Sequence, residues 1–165
     1  MAFFRRPSLF VANGADEFSM RLTSDARQWL VAMADQLEEL LSVDTDDTRR
    51  LFPTAYPDDP ELDAGYQILS RDALIDSRKQ SIEVMRASAD SDVVSGDQLS
   101  AWMGIVNDLR LVLGTRLDVS EDDHDIDFND PEIETILVYH ELGYVLSEIV
   151  DALESTLPPP ADEHD

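Results

Sequence analysis

The chain has 165 residues, with 36 Asp and Glu against 12 Lys and Arg, a formal charge of −24, and no cysteine. Its length suits one domain able to bury about 70% of its unfolded surface, and its 43% hydrophobic content is too high for a disordered chain. Without cysteine there is no disulfide, thiol switch or Cys-based zinc site, and no apolar run reaches the ~18 residues that span a membrane. Arg5 and Arg6 precede only a short apolar stretch, less than a signal-peptide core, so a cytoplasmic protein is expected. The acidity disfavours binding to phosphate backbones and acidic membranes; a halophilic lifestyle would produce the same charge.

In chain order, Pro7 to Leu22 holds two short apolar stretches either side of Asn13-Gly14, the signature of a β-hairpin, with Leu9 and Val11 on one face and Phe18, Met20 and Leu22 alternating. Ser24 caps a helix reaching Ser42, with Ala26, Leu30, Met33, Leu37, Leu40 and Leu41 on its apolar face. Arg49 to Phe52 form a short helical turn stopped by Pro53. Pro60 opens a helix towards Leu69, and Ser70 caps another that carries Leu74, Ile75, Arg78, Ile82 and Met85 on one side.

Ser95 to Leu117 is the most regular helix, with Leu99, Trp102, Val106, Leu109, Leu113 and Leu117 in one sector. Asp130-Pro131 begin the last helix, which runs to Leu157 and is closed by Pro158, Pro159 and Pro160. The fold expected is mainly α: a single-domain bundle of five or six helices over residues 1–157, with an N-terminal β-hairpin, the last two helices antiparallel, and a disordered acidic tail over 158–165. The last helix is apolar on both sides of a Glu134, Glu141, Glu148 stripe. Val138, Leu142, Val145 and Ile149 on one side and Leu137 and Tyr144 on the other make a homodimer an expectation.

Asp123, Asp125, Asp127 and Glu134 have the 1, 3, 5, 12 spacing of a calcium loop, but Phe128 replaces the required glycine, and a solvated acidic loop is the better account. His140-Glu141 is not followed by the second histidine of a zinc protease helix, and His140 reads as a packed or interface residue. No phosphate loop, dinucleotide fingerprint or nucleophile elbow is present, so no cofactor and no enzymatic activity are expected. Asn107, Asp108, Arg110, Thr115 and Arg116 form the most informative polar group. Arg110 lies inside the apolar sector and needs a partner, for which the Glu134, Glu141, Glu148 stripe is the obvious set. The alternative is that Arg110 and Arg116 hold an anionic ligand. A basic strip, Arg71, Arg78, Lys79 and Arg86, runs along one helix, interrupted by Asp72, Asp76 and Glu83.

NDLRLVLGTRLDV (Asn107 to Val119), RRLFPTAYPDD (Arg49 to Asp59), Val138-Tyr139 and Leu142-Gly143 resemble three ordered blocks of an actinobacterial domain-of-unknown-function family. That family includes AosR-like oxidative-stress transcription regulators, and its members are often encoded beside a protease adaptor. The resemblance implies a regulator working through protein contacts, with RNA polymerase sigma machinery as a partner. The cysteine sensor of the AosR-like branch has no counterpart here. Direct DNA binding through the basic strip, a protease-adaptor-associated role and a small anion-binding protein are the alternatives.

Overall fold

A computed structural model describes residues 7–118 and 128–158. Strands β1 (Phe10–Ala12), β2 (Phe18–Met20) and β3 (Val93–Val94) form an antiparallel sheet in the order β1-β2-β3. Helices α1 (Ser24–Leu41), α2 (Pro60–Ser88), α3 (Gly96–Arg116) and α4 (Ile133–Glu154) surround one core, with a 3-10 turn over Asp46–Leu51. This is the expected mainly helical fold with an N-terminal hairpin.

The hairpin pairs Phe10 with Met20 and Ala12 with Phe18. Phe10, Phe18 and Met20 are buried, so Phe10, rather than Leu9 or Val11, carries β1 into the core. The Asn13-Gly14 pair does not make a two-residue turn. No described glycine has positive φ, and the connection is a five-residue loop closed by Asn13 N–H donating to Glu17 O at 2.7 Å. Sequence reading missed β3, which is two residues long and pairs Val94 with Phe18.

Helix α1 starts on Thr23, whose Oγ1 accepts from Ala26 N, one residue before the expected Ser24 cap. Its buried face is Arg27, Leu30, Ala34, Leu37 and Leu41. The three- and four-residue spacing is as expected, but an arginine occupies the first core position. Arg27 is 7% exposed and makes five hydrogen bonds. Nε donates to Leu22 O at 2.9 Å, and one terminal nitrogen donates to Ser91 O at 2.8 Å and Ala89 O at 3.3 Å. The other donates to Met20 O at 2.8 Å and Asp92 Oδ1 at 3.0 Å. A guanidinium has five N–H donors, and all five are used, tying β2, the start of α1 and the α2–β3 connection together.

The two helices expected to meet at Ser70 are one 29-residue helix, α2. Ser70 donates its hydroxyl back to Tyr66 O at 2.8 Å, an in-helix bond, and so does not cap. The Pro60 start holds, with Asp59 as N-cap accepting from Leu62 N at 3.0 Å. All buried residues of α2, Ile82, Met85 and Ser88, lie in its last two turns.

Helix α3 opens on a capping box between Ser95 and Gln98 and ends at Arg116; two residues on, Asp118 with a φ of 50° turns the chain away. Trp102 is fully buried; its Nε1 donates to Ser88 Oγ at 2.9 Å while Ser88 donates to Val84 O at 2.7 Å. Against α3 runs α4, antiparallel as expected: Arg110 lies on Gly143 and Gly114 lies on Tyr139. Helix α4 begins two residues after Pro131, with Asp130 Oδ1 accepting from Glu132 N, and stops at Glu154, short of Leu157. The expected disordered tail falls on 158–165, of which only Pro158 is described.

Arg27→Met keeps the side-chain stem but leaves four carbonyls without their donor. Unsatisfied buried groups cost ~1–3 kcal/mol each, and partial access to water brings the expected loss to about 3–5 kcal/mol. Urea unfolding measures it; a loss below about 1 kcal/mol would show that water replaces the guanidinium freely.

Candidate functional site

Two sequence-predicted candidates meet where the sequence did not pair them. Asp108 on α3 and Arg78 on α2 form a mostly buried ion pair, Arg78 Nε to Asp108 Oδ2 at 2.9 Å. Arg78 also donates to Leu51 O at 2.9 Å and lies 5.3 Å from the Phe52 ring centroid, so it clamps the 3-10 turn to both helices. Burial pushes the Asp108 carboxyl above the usual carboxylate range, while the charge of Arg78 and its hydrogen bond pull it back.

Arg110 is not paired with the glutamate stripe. Glu134 and Glu141 are exposed, and the half-buried Glu148 accepts instead from Leu9 N at 2.7 Å, fastening β1 to α4. The guanidinium carbon of Arg110 lies 4.7 Å from the Tyr139 ring centroid, and no described carboxylate is within ion-pair distance. Its Nε is buried without a hydrogen-bond partner. The physical reason is register. A Cβ on Gly143 would come within 3.2 Å of Arg110 Nε, and one on Gly114 within 3.2 Å of the Tyr139 ring, so each side chain lies over the other helix's glycine. That close approach puts an aromatic ring where a helical wheel suggests an acid.

The proposed anion pair is also separated. Arg116 is bound to Asp47 at 2.8 Å, whereas Arg110 lines a shallow cleft of about 510 Å³ with His140, Gly143, Ser147 and Asp151. His140 is exposed rather than packed and meets Tyr139 edge-on at 5.6 Å. Asn107 is half-buried. A larger cleft of about 580 Å³, between the 3-10 turn and α2, is lined by Asp44, Thr45, Phe52, Gln67 and Arg71, among others.

The basic strip is largely consumed. Arg71 pairs with Asp44 at 3.3 Å and covers the Phe52 ring at 4.0 Å. Arg78 is held by Asp108. Arg86 bridges α2 to α1 through Asp35 and Glu38, each at 2.7 Å, and also contacts Glu83; bonds to Asp35 and Glu38 hold its proton more tightly than usual. Of the strip, Lys79, half-buried, has no ion pair with a described residue. Asp123, Asp125 and Asp127 lie outside the described residues. Among the described residues no group of three or more His, Asp or Glu is placed to hold a metal ion, and no helix is long and apolar enough to cross a membrane.

Sequence reasoning missed the exposed apolar surface of α2. Between Pro60 and Ala73 the helix buries nothing, yet Leu62, Tyr66, Ile68 and Leu69 are exposed, Ile68 and Leu69 at 78% and 83%. The i, i+4, i+7 spacing of Leu62, Tyr66 and Leu69 was the available signal. On α4, by contrast, Leu142, Val145 and Ile149 enter the core, leaving Leu137 exposed and Tyr144 half-buried.

The chain belongs to a domain-of-unknown-function family, DUF2017, which matches residues 5–153. No curated relative and no solved structure matches it.

Two stability measurements follow from the ion pair. Arg78→Met strands the Asp108 carboxylate and is expected to cost about 3–5 kcal/mol at neutral pH, part of which Arg78→Met/Asp108→Asn recovers. A carboxyl whose folded-state pKa is raised stabilises the fold most at acid pH, and that contribution is lost as pH rises through the folded value. The stability of the wild type relative to Asp108→Asn should therefore fall between acid and neutral pH in urea titrations, and a rise would contradict the burial argument.

Because no described carboxylate pairs with it, Arg110→Ala is expected to cost only about 1 kcal/mol, the worth of its stacking on Tyr139. Thermal unfolding should show a drop of a few degrees; a loss several times larger would reveal an acidic partner.

Proposed function

We propose that this member of the DUF2017 family is a non-catalytic regulatory protein that acts in the cytoplasm by docking on another protein. The observation carrying this reading is the first half of α2, where Leu62, Tyr66, Ile68 and Leu69 expose large apolar side chains and no residue is buried. Contiguous exposed apolar residues rimmed by polar ones mark interaction surfaces. The charged groups support it too. Within the basic strip Arg71, Arg78 and Arg86 each bind an acid of the chain, and so does Arg116 beyond it, so the one candidate phosphate-binding strip is largely neutralised. That favours protein docking over direct DNA contact. The resemblance to AosR-like regulators points to transcription under oxidative stress, with RNA polymerase sigma machinery as a class of partner. Without cysteine, the response would run through that contact rather than a thiol.

Carboxylate-reactive cross-linking in cells of the source organism, followed by mass spectrometry, should give a defined protein partner joined near α2. Duplex DNA titrated with the isolated protein at ~0.15 M salt should show no binding. Sequence-dependent, sub-micromolar DNA affinity would put the direct DNA regulator in its place, and turnover of a small molecule by the purified chain would make it an enzyme.

A further inference from the structure

The exposed half of α2 has an organisation that specifies more than a generic contact. Leu62, Tyr66, Leu69 and Ala73 follow one another at four, three and four residues, so they form one stripe along the helix. Arg71 and Ile75 lie on the opposite side, where Arg71 is held by Asp44 and Phe52 and Ile75 packs on the core. The stripe is prolonged past the helix start by Tyr56, whose ring meets Tyr66 edge-on at 6.0 Å. The backbone that carries that ring is held in place: Asp63 Oδ1 accepts from both Ala55 N at 2.8 Å and Tyr56 N at 3.1 Å. The backbone of the apolar strip is therefore preorganised, which lowers the ordering cost of binding.

The segment that bears it is predominantly acidic. Between Tyr56 and Asp76 the chain has Asp58, Asp59, Glu61, Asp63, Asp72 and Asp76 against Arg71 alone, and Arg71 is already paired. A second copy of the chain would bring the same acids to the same strip and add to a charge of −24 on each molecule. Like charges facing each other across an interface are costly, and complementary ones steer association.

We propose that this strip is the docking site for an amphipathic, Lys/Arg-rich helix of a partner protein. Apolar residues of that helix at three- and four-residue spacing would pack on Leu62, Tyr66 and Leu69, and its basic flanks would meet Glu61, Asp72 and Asp76. This rests on the reading of the protein as a docking regulator and adds the chemistry of the partner.

The test uses the full chain and a fluorescein-labelled helical peptide of Leu and Lys in heptad repeats, followed by anisotropy at ~0.15 M salt. A scrambled peptide of the same composition has no apolar face. The expected result is saturable binding of the heptad peptide, ~10-fold or more weaker binding to Leu62→Ser/Leu69→Ser, and weaker binding of the scrambled peptide. The double variant keeps the net charge and alters exposed side chains, so its melting temperature should stay at the wild-type value. Hydrogen exchange should show protection on binding confined to residues 54–76. Equal binding by the double variant, or by the scrambled peptide, would overturn the proposal by reducing the effect to bulk charge. So would a wild-type dimer in sedimentation that Leu69→Ser dissolves, since a second copy would then be the occupant. No peptide binding alongside a defined cross-linked partner in cells would overturn this inference and leave the docking regulator standing.

Discussion

The rest of the structure hangs on the buried guanidinium of Arg27. Carbonyls at the end of β2, at the start of α1 and along the α2–β3 connection sit at chain junctions, where no regular ladder supplies donors. Water could satisfy them, but only by opening the core. A single planar side chain does so instead, with Asp92 balancing its charge. This fixes the end of α2, and so fixes Ser88. Ser88 in turn receives the indole N–H of Trp102, the largest fully buried side chain, which seats α3. The hairpin, α2 and α3 are thereby referred to one point, with α4 added through Glu148 and the glycine contacts.

The same economy runs through the other cations. In so acidic a chain each arginine is worth most where it can join two elements, and Arg78, Arg86 and Arg116 do this between α2, α1, α3 and the 3-10 turn. Arg78–Asp108 is the most buried of these pairs, and removing either partner alone is the costly change. Exposed pairs such as Arg71–Asp44 contribute little individually. Using arginines internally leaves the exterior acidic, which sets the electrostatic class of anything that docks there.

Much of this was legible in the sequence. The apolar spacing gave α1, α3 and α4 within a few residues of their ends, because periodicity reports directly on burial. The junctions were not. Ser70 looks like a helix cap, but a serine hydroxyl can equally bond back to a carbonyl one turn earlier, and that local choice decided whether α2 was one helix or two. Nothing in the sequence marks Arg27 as buried, because four of its five partners are backbone carbonyls that no sequence pattern announces. Arg110 was correctly placed near α4, but a helical wheel gives direction without register. The glycines at positions 114 and 143 determined that Tyr139, and not a glutamate, lies beneath it.

Helix α2 is two structures in one. Its last two turns are locked by Ile82, Met85 and Ser88, while the half before Ala73 has no buried residue of its own and touches the rest of the fold through Arg71 on Phe52 and Asp44. Isolated helices of that length are marginal in water, and Gly65 in its interior costs a further ~1 kcal/mol relative to alanine. Local devices compensate: the Asp59 cap, Pro60 in the first turn, Asp63 binding the preceding loop, and Gln67 donating to Pro53 O at 3.1 Å. These hold the backbone without covering Leu62, Ile68 or Leu69. A helix kept in shape by its caps and anchored at one end by a core holds its apolar side chains in solvent at little further ordering cost. Stability and the availability of that face therefore come from different residues, and substitutions on the face can alter contacts while leaving the fold intact.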